Sequence, residues 1–180
     1  MTPILESARQ ALAAYEPDDP QELVYRTRML ELLASAGAFQ STHFLPGHFT
    51  ASAFVLSPER DALLLILHKK LGLWLQPGGH IEPSDVTLAA AARREVAEEV
   101  GAELEPALQD PLFDIDIHTI PPFRDKPAHE HFDVRFCFQA RSRLFSASDE
   151  VVRAQWVPLS RLVEVTSDRS VLRAATKLRR

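Results

Sequence analysis

The chain has 180 residues, 46% hydrophobic and 25% charged, with a formal net charge of −5 at pH 7. That length and balance fit one soluble domain, 1–180, with room for a proper core. The negative balance argues against a broad nucleic-acid-binding surface. No apolar run approaches a membrane span, and Met1 to Glu6 lacks the basic-then-apolar design of a signal peptide. The single cysteine, Cys137, sits in an apolar strand pattern. Both points fit a reducing cytoplasm.

Residues 3–15 and 20–37 read as helices, and residues 1–40 as an extension packed on the core that follows. Leu23, Tyr25, Met29, Leu30, Leu32 and Leu33 give the second helix an apolar side, and Gly37 is its expected stop. A strand at about 48–56 and another over Ala62 to His68 flank the turn Ser57 to Asp61, as in a hairpin. A short strand near Trp74 leads into Gly78-Gly79, read as a glycine turn. A helix over about 86–100 follows, capped by Ser84 or Asp85 and ended by Gly101 in the left-handed conformation. Strands are expected over Leu112 to Ile120 and His131 to Arg141, with a proline-rich loop at 121–127 between them. Phe132, Val134, Phe136 and Phe138 share one face of the second of these. A strand at Ala154–Val157, a turn at 159–162 and a helix from about 168 close the chain. This order fits an α/β fold with a mixed sheet between helical layers.

The central helix carries Arg94-Glu95-Val96-Ala97-Glu98-Glu99-Val100-Gly101. Leu88, Ala92, Val96 and Val100 form an apolar stripe at i+4 spacing. Glu95 and Glu99 stack one turn apart on its shoulder, with Glu98 one position aside. Clustered carboxylates repel one another unless something neutralises them. A divalent cation is the simplest agent, and hard cations such as Mg²⁺ take oxygen ligands together with water and substrate phosphates. Pairing of the acids with Arg93 and Arg94 on a plain surface helix is the competing reading.

The run from Gly79 through Asp85 to Arg94–Gly101 resembles the signature of the Nudix hydrolases, Gly-x5-Glu-x7-Arg-Glu-(aliphatic)-x-Glu-Glu-x-Gly-(aliphatic). Trp74 to Gly78 and Ala154 to Leu159 also resemble segments of that family, so the likeness covers roughly 46–165, with 166–180 as a C-terminal helix. Asp85 stands at the first glutamate, eight residues rather than seven separate it from Arg94, and Ala102 replaces the last aliphatic. The resemblance implies a Nudix-type α/β/α sandwich with a mixed sheet and, here, an N-terminal helical extension. It implies a metal-dependent hydrolase that cleaves a diphosphate linkage in a nucleoside diphosphate joined to X. Glu95, Glu98 and Glu99, with a backbone carbonyl at Gly78 or Gly79, would hold Mg²⁺ or Mn²⁺. Glu95 and Glu98 are the expected catalytic acids, with Arg94 orienting the cluster. The partner is then a small nucleotide or another diphosphate, and homodimers are common in the family. Alternatives of the same fold are an isoprenoid-diphosphate isomerase, which needs a catalytic cysteine, and a non-catalytic nucleotide sensor.

His68, His80, His118, His129 and His131 fall near the expected site elements. His129 and His131 are two apart and share a strand face, with Glu130 on the other. His80, His129 and His131 are therefore candidate substrate contacts, or part of a mixed nitrogen and oxygen site that admits Mn²⁺. No Cys or His spacing resembles a zinc motif. Phe123, in the proline loop, is the best candidate to stack on a base, with Phe44 and Phe49 as others. Glu130, Asp133, Asp149 and Glu150 are candidates for an assisting carboxylate outside the box.

Overall fold

The computed structural model of the chain describes residues 2–69, 71–149 and 151–178. Helix α1, Pro3–Ala14, has proline in its first turn, where the missing N–H is no loss. Helix α2, Pro20–Leu32, starts at Asp19, whose carboxylate accepts the Glu22 N–H at 2.9 Å. The strands are β1 Gly47–Leu56, β2 Ala62–His68, β3 Trp74–Leu75, β4 Gly78–His80, β5 Asp114–Ile120, β6 His129–Gln139 and β7 Val151–Pro158. Helix α3, Leu88–Val100, lies between β4 and β5 in the chain, and short helix α4, Leu162–Val165, and helix α5, Arg169–Lys177, follow β7. The strands form one mixed sheet in the order β3-β2-β1-β6-β5, with β4 pairing β1 and β7 pairing β2. The expected α/β fold with a helical N-terminal extension is the one observed.

Two segments differ from expectation. Helix α2 stops at Leu32, short of Gly37, because the bonds tighten to Ala34 N–H on Glu31 and Ser35 N–H on Leu32. Gly37 is instead where the His43 ring packs: a Cβ there would lie 2.4 Å from it. On α2 the buried residues are Glu22, Met29 and Leu32, while Leu23 and Leu30 are exposed. The second difference is Gly78-Gly79, which is extended strand β4 and not a turn. The positive-φ glycines among the described residues are Gly47, Gly72 and Gly101.

The residues group into two compact units. The first holds the chain up to Ser52, Gly79–Ala92 and Asp110–Phe136. In it α1 packs on α2, and α2 on β5. Strands β5 and β6 run antiparallel, with Ile115 opposite Val134, Ile117 opposite Phe132 and His118 opposite His131. One face of this pair is apolar and buried, as expected for Phe132, Val134 and Phe136. The opposite face is also largely covered but polar. Arg135, 2% exposed, lies among three aspartates: Asp133 at 2.7 Å, Asp116 at 3.3 Å and Asp114 at 3.4 Å. Thr50 and Ser52 of β1 donate to Asp133 at 3.0 and 2.8 Å. Buried charge survives only where such partners exist.

The second unit holds Ala53–Gly78, Arg93–Gln109 and Cys137–Arg180. Here β2 pairs β7 along its length and meets β1 at Val55–Leu64 and β3 at Ile66–Leu75. The expected hairpin forms around Ser57, whose hydroxyl donates to the Asp61 carboxylate at 2.7 Å and accepts the Asp61 and Ala62 N–H groups. Gly101 ends α3 at φ 56°, its N–H on the carbonyls of Val96 and Ala97. Asp168 caps α5 by accepting two N–H groups.

Candidate active site

Burial of Leu88, Ala92, Val96 and Val100 fixes the rotation of α3 and sets its acids on the shoulder of the buried stripe. Glu99 is the most enclosed of them, 9% exposed, and its Oε2 accepts the Gly78 N–H at 2.9 Å. The Glu95 side chain is 12% exposed and that of Glu98 55%. Arg94 Nη1 donates to both, at 3.0 Å to Glu95 and 2.8 Å to Glu98. Charge-assisted bonds of this kind fix the orientation of both carboxylates. Arg93 lies over the Phe138 ring at 4.2 Å and donates to the Glu105 carbonyl. Arg94 thus brings Glu95 and Glu98 together, while Glu99 is held separately by Gly78, and carboxylate oxygens are the ligand type that suits a hard divalent cation.

Asp85 does not cap α3. Its Oδ2 accepts the Glu82 N–H at 2.8 Å and closes a turn ahead of the helix. Thr87 takes the capping role, accepting the Ala90 N–H at 3.0 Å, so the helix begins at Leu88. The extra residue between Asp85 and Arg94 accommodates this separate turn. Gly79 is the middle residue of β4.

The histidines gather more tightly than their sequence spacing implied. The ring of His131 has those of His48, His80, His118 and His129 around it, with centroids 4.9–5.6 Å away. One ring nitrogen each from His48, His80 and His131 lie within 4.8 Å of one another. His48 was missed by pattern reading. Its signal is the alternation His48, Thr50, Ser52, which puts it on the same face of β1 as the groups that bind Asp133. Its neighbour Gly47 explains the fit: a Cβ there would lie 1.8 Å from the Glu130 carbonyl oxygen. The bare backbone lets β1 come against β6, and the Glu130 N–H bonds to the Pro46 carbonyl at 3.0 Å. Burial and the surrounding imidazoles push His131 down to about 2, and burial lowers His48. Both rings are neutral at pH 7.

His68 accepts the Leu71 N–H at 3.3 Å in the β2–β3 turn. Glu130 faces away from the histidines and pairs with Arg28. Asp133 is engaged by Arg135, Thr50 and Ser52, and Asp149 is exposed. Glu150 lies outside the described residues. Phe123 is 54% exposed, held by reciprocal 3.0 Å bonds with Lys126. Phe49 is fully buried against Phe39, so it offers no stacking surface, and Phe44 packs on His129. A recess of about 320 Å³ bordered by Arg28, Ser35, His43 and Phe132 contains none of the expected site residues.

The NUDIX domain family model matches residues 46–176. No curated protein matches the chain. Among solved structures, a NUDIX-family hydrolase from Clostridium perfringens is 26% identical, covering 73% of this chain and 96% of its own, with a TM-score of 0.51. A NUDIX hydrolase from Nitrosomonas europaea is 23% identical, covering 73% and 87%, with a TM-score of 0.54. The NUDIX domain of Shewanella oneidensis NrtR, complexed with ADP ribose, is 18% identical but covers 95% and 96%, with a TM-score of 0.53.

Proposed function

The chain belongs to the NUDIX family and is a pyrophosphohydrolase, and from that premise we propose that it cleaves the diphosphate linkage of a nucleoside diphosphate joined to a further group X. Water attacks phosphorus. The observation that carries this reading is the pair Glu95 and Glu98 held by Arg94 on α3, with the enclosed Glu99 of the same helix fixed by the Gly78 N–H. Glu95, Glu98 and Glu99, with the backbone carbonyl of Gly79, would hold Mg²⁺ or Mn²⁺. Held there, such an ion would supply neutralisation of the charge that spreads over the phosphate oxygens and would make the attacking water easier to deprotonate. Glu95 or Glu98 takes the proton of the attacking water, and Arg94 holds both acids in register. His80, His129 and His131 contact the substrate, and Phe123 stacks on its base. The enzyme works in the cytoplasm on a small-molecule substrate. The Nudix domain crystallised with ADP ribose matches this chain along almost its whole length, which supports that ligand as the first member of a substrate panel.

The isomerase alternative is disfavoured by Cys137. Its thiol is half-buried on β6, and burial pushes its pKa up to about 11, so it holds its proton at pH 7. A sensor that binds a nucleotide without turning it over is distinguished by the assay itself. Initial rates with ADP-ribose, nucleotide sugars, dinucleoside polyphosphates, nucleoside triphosphates and capped RNA, in Mg²⁺ or Mn²⁺, should show one preferred substrate and two phosphate-bearing products. Chelation should abolish the rate and the added ion restore it. Full activity in metal-free buffer overturns the mechanism, and binding without turnover replaces it with the sensor reading.

A further inference from the structure

Strands β1, β4, β5 and β6 carry a second constellation of side chains, distinct in residues and in chemistry from the α3 carboxylates. His48 Nδ1 lies 3.0 Å from the His43 carbonyl oxygen. A carbonyl only accepts, so Nδ1 carries the proton and Nε2 the lone pair. That Nε2 is buried and has no hydrogen-bond partner. An orphaned nitrogen of this kind is costly unless something fills its lone pair. The same logic orients two neighbours. His129 Nδ1 donates to the Pro127 carbonyl at 2.8 Å, and His118 Nδ1 to the Asp116 carboxylate at 3.2 Å. An imidazole pinned through one nitrogen offers the other to a metal, as the buried Nε2 of His48 does here.

We propose that His48, His80 and His131 form a binding site for one transition-metal ion of the zinc type, held by three imidazole nitrogens that already lie within 4.8 Å of one another. Its chemistry is opposite to that of the α3 carboxylates. Imidazole suits Zn²⁺ and its first-row neighbours, whereas Mg²⁺ takes oxygen. Three protein ligands leave a fourth tetrahedral position for water or an anionic oxygen. The electrostatics favour a cation: behind the histidines, Asp114, Asp116 and Asp133 surround a single guanidinium, that of Arg135. His118, bonded to Asp116, sits with its ring 5.6 Å from that of His131 and connects the two groups. The ligands come from β1, β4 and β6, so no sequence motif announces them. His80 and His131 would then meet the substrate through the ion's fourth position, and metal binding itself is read out without any substrate.

The test uses the full chain, stripped with a chelator and returned to buffer with excess Mg²⁺ so that hard oxygen sites are satisfied. Zn²⁺ is titrated calorimetrically, and Co²⁺ by its visible absorption, which is strong only in four-coordinate sites. Wild type should bind one equivalent with micromolar or tighter affinity. His80→Gln and His131→Gln should each weaken binding at least tenfold, and Glu99→Gln should leave it unchanged. His80 is exposed, so its replacement removes a ligand without opening the core. Melting curves confirm that each variant is folded. The proposal is overturned if wild type shows no saturable equivalent, or if folded His80→Gln binds as tightly as wild type.

Discussion

Arg94 shows how one side chain divides the labour among acids. Its guanidinium takes Glu95 and Glu98, while Glu99 is satisfied from another direction by a backbone N–H. Asp85, at the family's first glutamate, is spent on the Glu82 N–H. Asparagine accepts that bond equally well. Asp85→Asn should therefore leave turnover within a few-fold of wild type and barely change the melting temperature. Glu98→Gln should lower turnover by on the order of 10²-fold, since it removes a charge expected to hold the ion. Steady-state rates at saturating metal check both. If Asp85→Asn is as damaging as Glu98→Gln, the turn ahead of α3 belongs to the active site. At this scale the helix acids were legible from spacing alone, because i, i+3 and i+4 positions share a side of any helix. The partner of Glu99 was not, because Gly78 lies 21 residues away along the chain.

The elements themselves were read from apolar alternation, and this succeeded for the buried Phe132, Val134 and Phe136 on β6. The same habit hid the other face. His129, His131, Asp133 and Arg135 alternate just as regularly, as do His48, Thr50 and Ser52 on β1 and Asp114, Asp116 and His118 on β5. A polar period of two usually marks a solvated face. Here Thr50 and Ser52 bond Asp133, and Arg135 meets Asp114 and Asp116, across the strands, so much of the face is covered instead. Gly78-Gly79 failed for a related reason: glycine permits a turn but does not require one, and pairing with β1 holds it extended. Gly47 is the position where glycine is indispensable. Gly47→Ala would place a methyl against the Glu130 carbonyl and force β1 away from β6. The expected outcome is a loss of about 1–3 kcal/mol of stability, typical of overpacking, seen in denaturant titration. An unchanged midpoint would mean that the strands shift freely and that the histidine cluster is not held by this contact.

For the molecule as a whole, the neutral histidines set a pH dependence. His131 is lowered to about 2 by burial, then by His118, His48, His80 and His129, and His48 is lowered by burial, with His129, His43 and Lys126 adding to it. Asp116 faces the group through His118. In the unfolded chain both residues titrate near the ordinary value of 6.5. Below that pH the unfolded state binds protons that the folded state refuses. The stabilisation they provide is therefore complete above 6.5 and is lost progressively as pH falls toward the folded values. Each such proton costs the fold about 1.4 kcal/mol per pH unit. The melting temperature of chelator-treated protein should drop between pH 7 and 5, and less steeply in His131→Gln. A flat profile would place these rings in water rather than in the covered face.

Glu99→Gln asks whether the α3 carboxylates carry the chemistry. Glutamine keeps the size of the side chain and an oxygen for the Gly78 N–H, so the local fold is retained while the negative charge is removed. Turnover of the preferred diphosphate substrate at saturating Mg²⁺, measured beside the melting temperature, should fall by on the order of 10²-fold or more with melting nearly unchanged. Turnover within a few-fold of wild type in a folded Glu99→Gln protein would contradict the assignment.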